Sequence, residues 1–350
     1  MNIIHVDTSK KYDVIIGKKL IDTAGEEISK LMKPSKVLVI SDDKVAPLYF
    51  DRLSVALSSS GFEVEKFVIP NGEASKNAEN LIKILNFAAE KRLSRSDLFI
   101  ALGGGVVGDL AGFAAAVYLR GVKLVQIPTT LLSAVDSSVG GKTAIDLDAG
   151  KNLAGAFYQP SLVLCDYTTL DTLADEIFTD GVGEVIKYAL LGNTELFDHL
   201  MKHGKDFDRE YVITECVKMK RDIVCADEFD TGKRMCLNLG HTVGHAIESA
   251  SAYAVSHGKC VAMGMAVIAL AAVKNGLCKS EVYDKIVEVL GKFGLPSKTD
   301  FDFDALFKIM TADKKIMDGG ITVTIPTSLG ECVLKKMTLD EFKPFIKAGF

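Results

Sequence analysis

The sequence predicts two domains, an α/β domain with a parallel sheet over residues 1–175 and a mainly α-helical domain over residues 176–350. Three observations support this division. The chain of 350 residues is longer than a single hydrophobic core usually grows. Short apolar runs alternate with amphipathic segments in the first half, which is typical of a parallel sheet covered by helices. From about Asp175 the strand-like runs stop and apolar residues recur at helical spacing.

In the first domain, runs rich in β-branched residues predict strands at 37–40, 62–69, 98–102, 123–127 and 162–165. Amphipathic segments between them predict helices at 17–32, 45–59 and 76–91. Residues 2–16, with Ser9-Lys10-Lys11 in the middle, predict a hairpin attached to the sheet.

In the second domain, apolar periodicity predicts helices at 184–191, 211–223, 241–251, 261–275 and 281–293. Only residues 321–326 have strand character in this half. The second domain is therefore expected to be mainly helical.

Composition excludes several classes of protein. The net charge of −5 and the pI near 5.8 argue against nucleic acid or an anionic membrane as a partner. No apolar run reaches the roughly twenty residues of a membrane span, and the N-terminal residues lack the features of a signal peptide. The 7 cysteines include no Cys-x-x-Cys pair, which favours reduced and buried thiols. We expect a cytoplasmic protein.

A glycine-rich turn at 103–109, Gly-Gly-Gly-Val-Val-Gly-Asp, lies between a predicted strand and an apolar helix. Its match to Gly-x-Gly-x-x-Gly predicts a nucleotide-phosphate site, because backbone amides at a helix start bind anions. The turn lies on about the fourth strand unit and no acidic residue ends the next strand, so it departs from the dinucleotide fingerprint. A tight turn without a ligand is the alternative.

Polar residues follow two other predicted strands. Asp42 suits either a ribose contact or a helix cap. Glu73 and Lys76 suit either a second cofactor loop or a turn before a helix. Because parallel strands end at one edge of a sheet, these residues and the glycine-rich turn are expected to lie at the same edge.

Residues 137–143 resemble a phosphate-binding P-loop only in their Gly-Lys-Thr ending, because position 136 is Asp where that loop requires Gly. The segment reads as a polar loop whose residue types suit a phosphorylated polyol, with a solvated loop as the alternative. The residues concerned are Asp136, Lys142, Lys151 and Asn152.

Three of the 6 histidines lie close together in the second domain, at His241, His245 and His257. His241 and His245 are four residues apart and share a helix face, which suits either a metal site or acid/base chemistry. Glu184 and Lys187 lie on a very apolar helix, so a buried carboxylate that needs a partner is predicted there, and a metal is the strongest candidate.

Taken in order, these motifs resemble those of the 3-dehydroquinate synthase family within the sugar-phosphate cyclases. The likeness covers essentially the whole chain. Its motifs are Pro-Asn-Gly-Glu-x-x-Lys at 70–76, the glycine-rich turn, Arg-Gly at 120–121, Pro-Thr-Thr-Leu-Leu at 128–132, residues 136–142, Gly-Lys-Asn at 150–152, Gly-x-x-Glu-Val-Ile-Lys-Tyr at 181–188, Arg-x-x-x-Asn-Leu-Gly-His-Thr-x-Gly-His-Ala-Ile-Glu at 234–248, His-Gly at 257–258 and Asp-Lys-Lys at 313–315.

The resemblance implies an NAD- and metal-dependent carbon–oxygen lyase of the shikimate pathway, which serves chorismate and aromatic amino acid biosynthesis. Its substrate would be 3-deoxy-D-arabino-heptulosonate 7-phosphate and its products 3-dehydroquinate and phosphate. The implied route is transient oxidation by NAD, phosphate elimination, reduction and intramolecular aldol closure. A Rossmann-like NAD-binding domain and a homodimer are further expectations.

The resemblance also implies the site residues. One divalent metal, zinc with cobalt as an alternative, would be bound by Glu184, His241 and His257, which makes His245 an acid/base residue. NAD would contact Asp42, Glu73, Lys76, Gly104, Gly105, Val106, Val107, Gly108, Asp109, Thr129, Thr130, Lys142, Lys151, Thr169, Leu170, Asp171 and Thr172. The catalytic and substrate-binding residues would be Asp136, Lys142, Asn152, Lys187, Lys220, Arg234, Asn238, His245 and Lys314, with Arg120 reaching across the dimer interface.

Two positions depart from the family pattern. Lys259 stands where a Glu is usual, and Leu173-Ala174 stands where Leu-Pro is common. Neither removes an implied ligand, but Lys259 places a cation two residues from His257 and so affects the surroundings of the metal.

Three alternatives remain at the level of the sequence. An NAD- and metal-dependent glycerol-phosphate or polyol-phosphate dehydrogenase would share the glycine-rich turn and the histidines. Another cyclase would make an aminoglycoside or cyclitol precursor, but Lys220, Arg234 and Asn238 favour a substrate with a carboxylate, which those precursors lack. A non-catalytic zinc-stabilised protein leaves Lys142 and Lys187 unexplained.

Overall fold

The computed structural model describes residues 1–311 and 320–350. They form two compact units, with unit 1 comprising Met1–Leu173 and Arg209–Phe229 and unit 2 comprising Ala174–Asp208 and Asp230–Phe350. The strands are β1 (Asn2–Val6), β2 (Tyr12–Gly17), β3 (Lys36–Asp42), β4 (Glu63–Ile69), β5 (Leu98–Gly103), β6 (Lys123–Pro128), β7 (Lys142–Leu147), β8 (Gly150–Phe157), β9 (Leu162–Asp166), β10 (Ile321–Ser328) and β11 (Glu331–Met337). The helices are α1 (Ala24–Ser29), α2 (Ala46–Ser59), α3 (Ala78–Glu90), α4 (Gly105–Val117), α5 (Asp175–Gly192), α6 (Thr194–His203), α7 (Arg209–Ala226), α8 (His241–Ala250), α9 (His257–Lys274), α10 (Ser280–Lys292), α11 (Phe303–Met310) and α12 (Leu339–Lys347).

Unit 1 is built on a seven-stranded sheet in the order β1-β2-β9-β6-β5-β3-β4. Only β1 and β2 run antiparallel within it, as the predicted hairpin, and the remaining pairs are parallel. Both faces of the sheet are buried. Val37 and Val39 of β3 pack on one core with α1 and α2, whereas Leu38 and Ile40 pack on the other with α3 and α4. The predicted α/β fold with a parallel sheet is confirmed.

The segment that was expected to be a polar loop is different. Residues Ser133–Ser137 form a π-helical turn, and β7 and β8 then form an antiparallel hairpin that packs on α4. The approach is close, because a Cβ on Gly112 of α4 would lie 2.4 Å from Cγ2 of Thr143. The glycine-rich composition did not predict this hairpin, because the surface on which it packs belongs to α4.

Helix α7 belongs to unit 1, although the sequence division at residue 175 placed it with the second domain. Its buried residues pack against β1, β2 and the turn Ser133–Ser137. The amphipathic pattern predicted this helix but carried no information on which core it covers.

Unit 2 is mainly helical, as predicted. The expectation of a single strand in this half was wrong, because β10 pairs with β11 in an antiparallel hairpin. Strand β11 is largely exposed, and its apolar and polar residues do not alternate, so it lacks the periodicity of a half-buried strand. Among the described residues, α9 is apolar and long enough to cross a membrane, but 72% of it is buried in the protein, as in the core helix of a soluble domain.

Candidate active site

The predicted cofactor residues of unit 1 gather at the carboxyl ends of neighbouring parallel strands. Asp42 ends β3, the segment 71–76 follows β4, and the glycine-rich turn follows β5. Thr129 and Thr130 follow β6, and the turn Tyr167–Thr172 follows β9. Since ligands of open α/β sheets bind outside these strand ends, the fold assembles the predicted residues at one edge.

The glycine-rich turn leaves little room for side chains. A Cβ on Gly104 would lie 3.1 Å from Cγ2 of Thr130, and a Cβ on Gly105 would lie 3.2 Å from Oγ of Ser137. Gly104 precedes the first residue of α4 and supplies no side-chain cap. The amides of the first helical turn therefore lie at a surface where an anion can approach the backbone.

Other cofactor candidates have structural partners. The carboxylate of Asp42 accepts hydrogen bonds from the backbone amides of Lys44 and Val45, each at 2.9 Å, which is the helix-cap alternative. In the turn after β9, Leu170 is buried in the core and Asp171 pairs with Arg209. Thr129 Oγ1 is buried and has no hydrogen-bond partner among the described residues.

A polar cluster joins five of the predicted residues in unit 1, four of them charged. Lys76 Nζ lies 2.6 Å from Asp109 Oδ2 and donates to Asn152 Oδ1. Glu73 Oε1 lies 3.8 Å from Nζ of both Lys76 and Lys151. Burial lowers the pKa of Lys76, but Asp109 and Glu73 outweigh burial and raise it, so this lysine stays charged.

A second ion pair joins α7 to the turn before β7. Lys220 Nζ contacts Asp136 Oδ1 and donates to its carbonyl oxygen at 2.6 Å. Lys220 is nearly fully buried. The structure thus brings together two predicted substrate residues that are 84 positions apart in the sequence.

Two further predicted residues of unit 1 are exposed. Lys142 is exposed at the start of β7. Arg120 is exposed just after α4, at the end of that helix opposite the glycine-rich turn, and has a positive φ of 67°. A helix of 13 residues is about 20 Å long, so Arg120 is far from the cofactor edge of its own unit. Lys314 lies outside the described residues.

The metal candidates converge in unit 2. Glu184 projects from α5, while His241 and His257 are the first residues of α8 and α9. Glu184 Oε1 lies 3.3 Å from His241 Nε2 and 3.0 Å from His257 Nε2. Two ligands of a tetrahedral ion, each about 2.0–2.1 Å from it, lie about 3.3 Å apart, so this donor set fits zinc.

The charges at this centre are coupled. Burial raises the pKa of Glu184, but Lys187 and His241 outweigh burial and hold it well below its usual range. Burial lowers the pKa of His257, whereas hydrogen bonds to Glu184 and Glu248 outweigh that effect and raise it to about 10. A cation is favoured at this position, and a metal that binds here takes the place of the His257 proton.

The structure tests the local pairing of His241 with His245. Their rings lie 5.2 Å apart, but His245 groups with Glu248 and His257 and does not join the set of Glu184, His241 and His257. Loss of hydration, aided by the two neighbouring imidazoles, lowers the pKa of His245 to about 3 although the residue is exposed. His245 is therefore neutral at ordinary pH.

The remaining predicted residues of unit 2 lie beside this centre. Lys187 and Glu184 are each 1% exposed, and Lys187 Nζ forms an ion pair with Oε2 of Glu184. This ion pair is therefore buried and does not lie on the protein surface. Arg234 and Asn238 lie on the 3₁₀ turn Lys233–Asn238, which packs against α5.

Three polar residues at these centres escaped the sequence analysis. Glu248 lies 3.4 Å from His257 Nδ1 through Oε1, and Asp180 accepts backbone hydrogen bonds at the start of α9. Asp146 accepts from the Asn152 amide at 2.8 Å. Only Glu248 had a signal, since it falls seven residues after His241 on the same face of α8.

Comparisons with known proteins agree with this geometry. Residues 66–180 match the family model 3-dehydroquinate synthase N-terminal, and residues 181–316 match 3-dehydroquinate synthase C-terminal. The 3-dehydroquinate synthase of Streptococcus sanguinis (strain SK36) is 41% identical over 343 residues, 96% of this chain and 97% of the relative. This chain belongs to the 3-dehydroquinate synthase family. Its activity is that of a shikimate pathway enzyme acting on a sugar phosphate.

Two solved structures share the fold of this chain. A 2-deoxy-scyllo-inosose synthase complexed with carbaglucose-6-phosphate, NAD⁺ and Co²⁺ is 23% identical, with a TM-score of 0.89 and coverage of 100% of both chains. A 2-epi-5-epi-valiolone synthase from Streptomyces hygroscopicus subsp. jinggangensis 5008, with NAD⁺ and Zn²⁺ bound, is 25% identical, with a TM-score of 0.89 and coverage of 99% of this chain and 97% of that chain. The far higher identity to 3-dehydroquinate synthases decides against the alternative of another cyclase.

Metal analysis of two histidine variants tests the ligand set. His257→Ala should lower zinc content from about one ion per chain to below about a tenth, whereas His245→Ala should keep the metal and lose turnover. The measurement is metal content by atomic emission after zinc loading and gel filtration. His5→Ala removes an exposed histidine of unit 1 and serves as the control. Equal metal loss from both variants would mean that the pair four residues apart supplies the ligands.

Proposed function

We propose that this chain binds NAD at the carboxyl edge of the unit 1 sheet and one zinc ion at Glu184, His241 and His257. The observation that carries the proposal is a buried, ionised carboxylate with two imidazole nitrogens 3.0 and 3.3 Å from one oxygen. Cobalt is the alternative metal, because the same donors suit it. The proposed location is the cytoplasm.

The proposed NAD site rests on the turn after β5. Its glycines let a pyrophosphate approach the first amides of α4, and Lys76 and Lys151 add positive charge nearby. The buried Thr129 hydroxyl is a polar group that a ligand would satisfy. Asp42 would contribute less to ribose binding than the resemblance implied, because its carboxylate already caps a backbone turn.

Glu184, His241 and His257 would hold the metal with three protein donors, the number that catalytic zinc sites use. When bound, NAD supplies a hydride acceptor that later returns the hydride, and zinc supplies a Lewis acid for a substrate oxygen. Lys187 holds the second oxygen of Glu184, so only Oε1 faces the histidines. Glu248 accepts a hydrogen bond from His257 Nδ1, which directs Nε2 to the metal.

The chain itself supplies groups for binding and proton transfer. In unit 1 these are Asp136, Lys142, Asn152 and Lys220, and in unit 2 they are Lys187, Arg234, Asn238 and His245, with Lys314 proposed from the resemblance alone. Neutral His245 is able to take a proton, and an anionic substrate beside it would raise its low pKa. The lysines and Arg234 would hold phosphate and carboxylate oxygens through charge-assisted hydrogen bonds.

A dimer is the remaining part of the proposal. Arg120 is exposed at the end of α4 opposite the cofactor edge, so it suits a phosphate in another subunit better than one bound to its own unit 1. A guanidinium contacts phosphate oxygens in a bidentate manner that Lys cannot reproduce.

Following NADH absorbance and phosphate release together tests the proposed reaction. With NAD at about one hundredth of the substrate concentration, we expect full conversion of the heptulosonate phosphate to phosphate without net NADH, because substrate and products have the same overall oxidation level. Zinc removal with a chelator should stop phosphate release, and zinc addition should restore it. Stoichiometric NADH would instead identify a dehydrogenase.

Subunit mixing tests Arg120. Arg120→Ala and Lys187→Ala proteins should each be nearly inactive, and mixing them should restore about a quarter of wild-type activity, because half of the exchanged dimers are mixed and each has one intact site. The readout is phosphate release after subunit exchange, which is confirmed by native mass spectrometry.

The control for this experiment pairs Arg120→Ala with the double variant Arg120→Ala/Lys187→Ala, which leaves no intact site in any dimer. A first mixture as inactive as this control, despite proven exchange, would place Arg120 within its own chain or outside the site.

A further inference from the structure

The N-terminus of α9 is capped by a residue from a different helix. Ser256 precedes α9 but makes no side-chain cap hydrogen bond. Asp180 of α5 accepts instead, through Oδ1, from the backbone amides of Gly258 at 2.7 Å and Lys259 at 3.3 Å. These are the second and third residues of α9, whose amides a local N-cap side chain would normally satisfy. The carboxylate charge also suits the positive end of the helix.

The same contact brings the backbones of α5 and α9 together. A Cβ on Gly258 would lie 1.9 Å from the carbonyl oxygen of Asp180, and a Cβ on Gly183 would lie 2.7 Å from the carbonyl oxygen of Gly258. Each helix therefore presents a glycine to the backbone of the other. Asp180 ties two helices at a point where neither has a side chain to separate them.

This contact lies next to the metal ligands. Asp180 and Glu184 are one turn apart on the same face of α5, and Gly258 directly follows His257. One carboxylate of this face holds the backbone of the first α9 turn, and the next faces the His257 ring at 3.0 Å. The position of His257 relative to Glu184 thus depends on a contact that involves neither of these two side chains.

We propose that Asp180 is a positioning residue of the metal centre, which fixes the first turn of α9 so that His257 faces Glu184. The inference rests on the proposed metal site. Without this tether, the metal-free chain would spend part of its time with His257 turned away, and the apparent metal affinity would fall in proportion to the competent fraction. Removal of groups that orient metal ligands typically lowers affinity about 10–100-fold.

Zinc affinity of four variants, measured by chelator competition at fixed pH, tests the proposal. Asp180→Ala should bind zinc about 10–100-fold more weakly than wild type and give altered visible bands when loaded with cobalt(II). Asp180→Asn should stay within about threefold of wild type, because Asn accepts the same amide hydrogen bonds. Asp175→Ala is the matched control, since it removes an exposed carboxylate from the first turn of the same helix.

A double variant separates positioning from helix capping. Asp180→Ala/Ser256→Asp supplies a local cap to α9 but no tie to α5. Its metal-free melting temperature should recover relative to Asp180→Ala, while its zinc affinity stays low. Recovery of both would show that Asp180 only caps the helix and would overturn the proposal.

The result for the wild-type chain distinguishes failure of the metal site from failure of the positioning role alone. Absence of zinc binding by wild type would refute the metal site itself, and the positioning role with it. Zinc binding by wild type that Asp180→Ala matches in affinity and cobalt spectrum would leave the metal site standing and refute only the positioning role.

Discussion

The buried carboxylate of Glu184 is the constraint on which unit 2 depends. An ionised group that is 1% exposed is stable only beside compensating charge and hydrogen bonds. Lys187 and His257 supply positive charge, and His241 lies 3.3 Å away on a third segment. Bringing those segments together requires close backbone contacts. A Cβ on Gly264 of α9 would lie 1.9 Å from the carbonyl oxygen of Gly240, which precedes α8. A Cβ on Gly258 would lie equally close, at 1.9 Å, to the carbonyl oxygen of Asp180 on α5. The glycines at the helix contacts thus allow the close approach that compensation of the Glu184 charge requires.

In unit 1, polar residues from distant parts of the chain lie together at one edge of the sheet and not within it. The parallel order β9-β6-β5-β3-β4 brings five turns to one edge, where each adds one or two groups. Helix α7 and the hairpin of β7 and β8 then add Lys220, Lys151 and Asn152. Lys76 and Lys220 are both almost fully buried, and each forms an ion pair with a carboxylate. Its carboxylate neighbours keep Lys76 charged.

Local patterns predicted most of the parallel strands and the long helices, because those depend on apolar periodicity within one segment. The burial of Glu184 followed from its apolar neighbours, whereas spacing alone paired His241 with His245. The group of Glu184, His241 and His257 depends on the meeting of three helices. The hairpin at 142–157, the placement of α7, and the roles of Glu248 and Asp180 depend on which surfaces meet in three dimensions. No pattern within one segment contains that information.

In the proposed metal site, one carboxylate and two imidazoles hold the metal. X-ray absorption at the zinc edge of the fully loaded chain measures this ligand set directly, because imidazole rings give characteristic multiple scattering. The account predicts two imidazole ligands together with oxygen ligands at about 2.0–2.2 Å. A spectrum that requires three imidazoles, or any sulfur ligand at about 2.3 Å, would contradict it.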